Sequence, residues 1–522
     1  MTYKKTFLVA LFFIFVVSFV SRLNILNNSF VSDDFVLIVN NSFIQSAQNF
    51  FKVINPINFF EVLPIKCGAR PITVATYILE YSVYKLNPFG YHLSNLLLHC
   101  FNVLLVFIFA YLLANKQKLI FASVAALFFS LHPIQSEVVS VIGFRANLLS
   151  VFFALLSLNC VSLFEFTKKK YYKFLYVLVF VFAILSLLSK ENALVLPLIF
   201  VLIYFVVYKK SVNKILSIIS FVVISVIFLF FWIERFPVPL YYSIYPQIDT
   251  NLIPLADISL YLKIIITSLF YNVLHILYPV NLSADYTLIF SNFKIVITLI
   301  FLILAVYFFI YKNKSKVLLF AFLFSLITYL PISNLVPLVN TIADRYMYMT
   351  MTGVSFIFAL LVLKIFDRNK KIAYIFFISL MIIFSFCSYE RGTVFSNSYL
   401  LYSDEIKKAP NNVRVAYNMG VSYFANDEFY NAILQLKKSF EINPFYYTDR
   451  TWFITGLSYE KLGDKKNAFK YYYKAFLINP SDDEIADTFI SQFNSKQEVK
   501  DFIVSHSTFI REDIIKAVEE HK

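Results

Sequence analysis

Acidic residues are scarce where this chain is longest: residues 1–400 hold 14 Asp and Glu against 30 Lys and Arg, while residues 401–522 hold 18 against 16. The net charge of +14 therefore belongs to the apolar part and not to a basic soluble domain, which removes nucleic acid as a partner. Cysteine is rare as well. Cys67, Cys100, Cys160 and Cys387 are scattered, without a CxxC pair or a metal-ligand spacing, so neither a disulfide framework nor a zinc site is expected. Glycine is scarcer still for the length, 8 residues in 522, beside abundant Phe, Ile, Asn and Lys, a bias that suits genome base composition better than function. Charged residues make up only 15% against 59% hydrophobic, which excludes an ordinary soluble protein.

What remains is a series of apolar segments, each compared with the ~20 residues that a helix needs to cross a bilayer. Lys4-Lys5 followed by Phe7 to Val20 has no small-residue cleavage site in Ser21-Arg22-Leu23-Asn24, so the first helix is expected to be a retained anchor. Positive clusters recur at Lys4-Lys5, Lys116/Lys118, Lys168-Lys169-Lys170, Lys209-Lys210/Lys214, Lys312/Lys314/Lys316 and Arg368/Lys370/Lys371. They mark the cytoplasmic loops. Three apolar stretches lie between Lys214 and Lys312, near 215–233, 257–280 and 295–311, where parity allows two crossings. The 257–280 stretch, with Asp257, Lys263, Asn272 and His275, is expected to be re-entrant or interfacial. This leaves about 11 spans and a non-cytoplasmic C-terminus. Glu165 and Asp367 then fall on the cytoplasmic side, whereas Asp33, Asp34, Glu61, Glu137, Glu191, Glu234, Asp249, Asp257, Asp285, Asp344 and Glu390 fall on the opposite face.

Pro410, Pro444 and Pro480, with Gly420/Gly456, Tyr423/Tyr459 and Ala432/Ala468, recur at nearly fixed offsets. The expected fold class is thus all-α, a polytopic membrane domain over 1–395 followed by a soluble helical repeat domain over 396–522. Residues 413–446 and 449–482 resemble tetratricopeptide repeats, with Trp452 in its expected place, and 400–411 resemble a closing half-repeat. Two full repeats are below the usual minimum of three, so 483–522 is expected to supply capping helices. The repeats are either an assembly spacer or a groove that holds a partner.

Ionisable groups at membrane depth are costly and become functional candidates, with structural pairing as the standing alternative. Asp33-Asp34 is a solvated loop start, or else a general base with a second carboxylate beside it. Arg70-Pro71 opens a stretch too short to span. His92, Asn95 and His99 share one helical face. The two histidines stand roughly 10 Å apart along the axis and cannot hold one metal together. His132-Pro133, Glu137 and Arg145 lie between two spans, Lys190-Glu191 between two more, and Asp344-Arg345-Tyr346 at the start of another. Each cation with its neighbouring acid is a local salt bridge or a phosphate ligand kept in orientation.

Taken in order, these pieces resemble the C-type membrane glycosyltransferases, and within them the transmembrane and tetratricopeptide-repeat O-mannosyltransferases and their bacterial relatives. The resemblance is carried by the Asp33-Asp34 pair, Arg70-Pro71-Ile72-Thr73, Tyr91-His92 with Asn95 and His99, His132-Pro133 with Glu137 and Gly143-Phe144-Arg145-Ala146-Asn147, Ser189-Lys190-Glu191, Pro279 through Asp285-Tyr286, and Asp344-Arg345-Tyr346. It implies a polyprenyl-phosphate-linked sugar, such as mannose, as donor, a protein or glycan hydroxyl as acceptor, and inverting transfer at the outer face of a membrane, here a bacterial inner membrane. It implies catalysis by Asp33 or Asp34, with Asp33 favoured as base. Arg145, Lys190 and Arg345 would bind the phosphate, while Arg70, His92, Asn95, His132, Glu137, Glu191 and Asp285 would border the substrate or organise the loops. A divalent cation is compatible with paired carboxylates, but no octahedral ligand set is recognisable. Two repeats where animal members carry many leave acceptor recognition open. The competing functions are a membrane-anchored scaffold for envelope assembly and a lipid-linked sugar flippase. A flippase calls for charges deep in several spans or inverted repeats, and neither is clear here.

Overall fold

The computed structural model describes residues 3–55, 70–114, 117–164, 166–204, 222, 225–226, 247–248, 251–252, 258–312, 315–336, 338, 340–506 and 512–520. Glu61, Cys67, Lys116, Glu165, Lys209-Lys210, Lys214, Lys314, the 215–233 segment apart from three positions, Glu234, Asp249 and Asp257 lie outside them. The described chain is helical apart from a pairing of Gln247–Ile248 with Asn251–Leu252. It divides into two compact units, one of Met1–Gln247, Ile253–Ala284 and Leu288–Asn397, the other of Ile248–Leu252, Asp285–Thr287 and Ser398–Lys522.

Seven described helices of the first unit are long and apolar enough to cross a membrane: Pro88–Leu113, Ile142–Leu163, Tyr172–Ser189, Ile258–Leu277, Asn292–Ile310, Thr350–Arg368 and Lys370–Val394. A bent pair, Lys118–Leu131 with Pro133–Ser140, makes eight if it counts as one span. The chain is an integral membrane protein. The Asn292–Ile310 helix leaves Phe293, Ile300, Ile303 and Leu304 exposed, a surface that lipid solvates and water would not. Pro88–Leu113 is instead the hub: Leu96, Cys100, Val103, Val106, Phe107 and Ala110, spaced by three or four residues, are all buried in one core with Phe121, Phe320, Phe324 and Phe356. The 257–280 stretch, expected to be re-entrant or interfacial, shows no re-entrant break. It is one unbroken helix, Ile258–Leu277, of span length.

The bend of 55° after Leu131 has a local cause. Pro133 has no N–H and cannot continue the ladder. The carbonyl of Ser130, freed by the break, accepts from Arg22 Nη2 at 2.7 Å and from His99 Nε2 at 3.3 Å. Arg22 Nη2 also reaches the His132 carbonyl, and Nη1 the Ser136 hydroxyl. A buried arginine thus satisfies backbone acceptors that lipid could not.

In the second unit, Val413–Ala425 pairs with Phe429–Ile442 and Thr448–Lys461 with Lys465–Ile478. Asn412, Asp464 and Asp482 cap the helices that follow them by accepting backbone N–H bonds. Trp452 sits 4.1 Å from the Phe440 ring and 5.3 Å from Tyr471. Phe489, Val499, Ile503, Ile514 and Val518 extend the same core through Asp483–Ile490, Lys496–His506 and Glu512–Glu520. On the other flank, Ser398–Lys408 packs Tyr399 edge-on against Tyr423. Gly456 allows the close helix crossing, since a Cβ there would stand 2.6 Å from the buried Tyr472 ring. Gly456→Ala is expected to destabilise this unit by about 2 kcal/mol through overpacking. The check is faster proteolytic cleavage after residue 398 in the full-length protein.

Candidate active site

The site is built within the first unit. After Tyr3–Val20 the chain reaches Ser32, whose φ of 52° is left-handed, and this turn sends the next two side chains opposite ways. Asp33 is exposed, whereas Asp34 is 0% exposed. Asp34 Oδ2 accepts from the Val31 N–H at 3.0 Å and Oδ1 from the Gly143 N–H at 2.6 Å. Burial pushes its carboxyl up to about 7 against the opposing pull of those two amides. Among the described residues no three His, Cys, Asp or Glu are disposed to hold a metal.

The segment 141–145 runs beneath the carboxylates. Gly143 lets the two segments approach closely: an added Cβ would lie 3.2 Å from each of Asp33 Cβ, Asp34 Oδ1 and Leu37 Cδ1, so these neighbours would have to give way. Arg145, 1% exposed, is surrounded. Its Nε donates to Asn95 Oδ1 at 2.7 Å, Nη2 to the Tyr91 carbonyl at 3.0 Å, and Nη1 to Glu80, with the guanidinium 4.9 Å from the Tyr77 ring. Every nitrogen of Arg145 thus has a protein partner, a hold that the sequence alone did not reveal.

A second group of charges is less enclosed. Arg70 meets Glu191 through Nε at 3.3 Å and Nη2 at 3.0 Å. The Glu137 carboxylate takes the Arg345 backbone N–H at 2.7 Å and its Nη1 at 2.5 Å. Arg345 also stacks 4.3 Å from the Phe144 ring. Lys190 donates to Asn147 Oδ1 at 2.7 Å, lies 5.8 Å from the Tyr346 ring, and has no ion pair among the described residues. Burial pushes its ammonium down to about 7; the charges of Arg70 and Arg345 add to this, and Glu191 and Glu137 oppose it. Burial would raise Glu191, yet Arg70 and Lys190 hold it down at about 2. Although burial opposes it, Glu137, and after it Tyr346 and Asp33, keep Arg345 charged. Lys190 is thus coupled to Arg70, Glu137, Glu191 and Arg345, and Arg345 in turn to Glu137 and Asp33.

Other sequence candidates have different surroundings. Asn95 braces the Val141 carbonyl as well as Arg145. His132 is engaged on both nitrogens, accepting from the Ile134 N–H and donating to the Ile276 carbonyl at 3.0 Å. His92 is fully buried, beside the Ser29 and Asn28 backbone. Asp285 belongs to the second unit, where it pairs with Arg414. Sequence reasoning missed Glu80 and Tyr77. Thr73, Thr76, Tyr77 and Glu80 recur at i, i+3, i+4 and i+7, a polar stripe on a short helix that could have found them.

Residues 449–482 match the tetratricopeptide repeat family. A protein O-mannosyl-transferase of Caenorhabditis elegans is 26% identical over 451 residues, covering 81% of this chain and 62% of its own length. The chain is similar to the protein O-mannosyl-transferases. The protein O-mannosyl-transferase Tmtc1 of Drosophila melanogaster is 33% identical over 137 residues, 26% of this chain and 16% of that relative. TMTC3 of Homo sapiens is 39% identical over 87 residues, 16% of this chain and 9% of that one. The chain therefore spans less than two thirds of the length of these curated relatives. Among solved structures, the crystal structure of ArnT from Cupriavidus metallidurans bound to undecaprenyl phosphate aligns with 100% of this chain and 85% of its own, at 13% identity and a TM-score of 0.40.

Glu137→Leu leaves the Arg345 guanidinium buried without its counter-charge. The expected loss is about 3 kcal/mol, read as a lower unfolding midpoint of the detergent-solubilised protein.

Proposed function

We propose that this chain is a membrane glycosyltransferase that moves a sugar, mannose by the names of its relatives, from a polyprenyl-phosphate-linked donor to a hydroxyl of a protein or glycan. The observation that carries the reading is one exposed carboxylate, Asp33, beside a fully buried and doubly held one, Asp34, within reach of Arg345 and through it of Lys190 and Arg70. The relatives' names support the transfer, and the separation of roles supports the mechanism.

Asp33 takes the proton of the acceptor hydroxyl as that oxygen bonds to C1 of the sugar. The C1–O bond to phosphate breaks on the opposite face, its electron pair leaves with the polyprenyl phosphate, and the anomeric configuration inverts. Lys190, Arg345 and Arg70 stabilise the charge gathering on the phosphate, each held in place beforehand by Asn147, Glu137 or Glu191. Asp34, buried and held by two backbone amides, orients the loop, and the exposed Asp33 is the carboxylate that an acceptor hydroxyl can reach. In this reading residues 1–395 form the catalytic domain and 396–522 an extracytoplasmic repeat domain that holds the acceptor, with repeats 413–446 and 449–482 and caps 483–522. The membrane is a bacterial inner membrane.

Membranes carrying the protein are expected to transfer labelled sugar from one of a panel of polyprenyl-phosphate donors, and Asp33→Asn to lower that rate about 100-fold or more. Transfer that survives in Asp33→Asn would remove the proposed base, and no transfer from any donor would favour a membrane-anchored scaffold. Lys190 adds a pH signature. Its ammonium loses its proton as pH rises through about 7, so the KM for donor is expected to rise over that range. In Lys190→Arg, whose guanidinium stays charged, the rise is expected to vanish.

A further inference from the structure

The segment Val141 to Arg145 is held at three successive residues, two of them by side chains from two different helices and the third by Asp34. Asn95, on Pro88–Leu113, donates to the Val141 carbonyl at 3.2 Å. Tyr77, on Pro71–Tyr84, donates its hydroxyl to the Ile142 carbonyl at 2.9 Å. Between these two carbonyls and Arg145 lies Gly143, whose N–H points to Asp34 Oδ1. Arg145 then locks the two helices together, bonding Glu80 and Thr76 on one and Asn95 and the Tyr91 carbonyl on the other.

We propose that Glu80 and Tyr77 are positioning residues: through Arg145 and the Ile142 carbonyl they fix the Gly143 amide, and that amide sets the orientation of the Asp34 carboxylate and with it the Asp33-Asp34 loop. The functional part of this inference rests on the transferase reading above. Neither side chain touches the reacting atoms. Glu80 is the counter-charge that makes a buried Arg145 tolerable, and without it the guanidinium has reason to leave the turn for water. The Tyr77 hydroxyl is a separate hold on the same peptide. With the carboxylates displaced by even a fraction of an ångström, an attacking hydroxyl loses alignment with its base although the donor still binds.

The test compares wild type, Glu80→Ala, Glu80→Gln and Tyr77→Phe as full-length protein in detergent or nanodiscs. The first readout is hydrogen–deuterium exchange of peptides containing Gly143, and the second is the split between kcat and donor KM. Glu80→Ala and Tyr77→Phe are expected to speed exchange at 141–145 and to lower kcat about tenfold or more with donor KM unchanged. Glu80→Gln, which can still accept from Arg145, is expected to recover most of both. Tyr77→Phe keeps the ring under Arg145, so it remains informative if Glu80→Ala fails to fold. Unchanged exchange at 141–145 in the folded variants overturns the positioning claim, as does faster exchange with unchanged kcat. Should the wild type transfer no sugar, the transferase reading falls, and the exchange data still decide whether Glu80 and Tyr77 fix the Gly143 amide.

Discussion

The constraint on which the first unit depends is that a charge buried in a membrane-embedded fold must find a partner, because neither lipid nor packed side chains can solvate it. Each buried cation answers this differently. Arg22 is turned onto carbonyls freed by a helix break, Arg145 onto Glu80 and two helices, and Arg345 onto Glu137. Lys190 has only an amide oxygen in contact and no carboxylate among the described residues. An under-compensated ammonium next to two paired arginines is an unfavourable arrangement for the protein alone. A bound anion would relieve it, and the proposed transfer from a lipid phosphate draws on that imbalance.

The scarcity of acids gives the same logic from the other side. In an apolar unit with few carboxylates, most of those described hold something in place: Glu80, Glu137 and Glu191 each fix an arginine, and Asp34 fixes a backbone turn. Asp33 is set apart from these by its exposure. Chemistry at such a face needs a carboxylate that is not already committed to structure.

Much of this was legible in the sequence, and the reason lies in spacing. Charges between apolar runs identify loop ends without any knowledge of packing, and the offset of Gly420 and Gly456 from Pro444 and Pro480 identifies a helical hairpin. What was not legible depends on which way a helix faces. Arg145 stands without an acid near it in sequence, and its partner Glu80, 65 positions away, is seen only once the helices are packed. Asp33 and Asp34 are chemically alike in the sequence, and only the left-handed turn at Ser32 separates the outward carboxylate from the buried one. The segment 257–280 carries enough polar residues to suggest a re-entrant path, yet Thr267, Ser268, Asn272 and His275 all fall on the buried face of a continuous helix.

The contact at Gly143 has a consequence for how the chain can vary. An added Cβ there would stand 3.2 Å from Asp33 Cβ, Asp34 Oδ1 and Leu37 Cδ1, so any side chain at 143 has to be accommodated by the loop that carries both carboxylates. A position with no chemistry of its own is thereby tied to the two acids, and drift at 143 is felt at the Asp33-Asp34 turn.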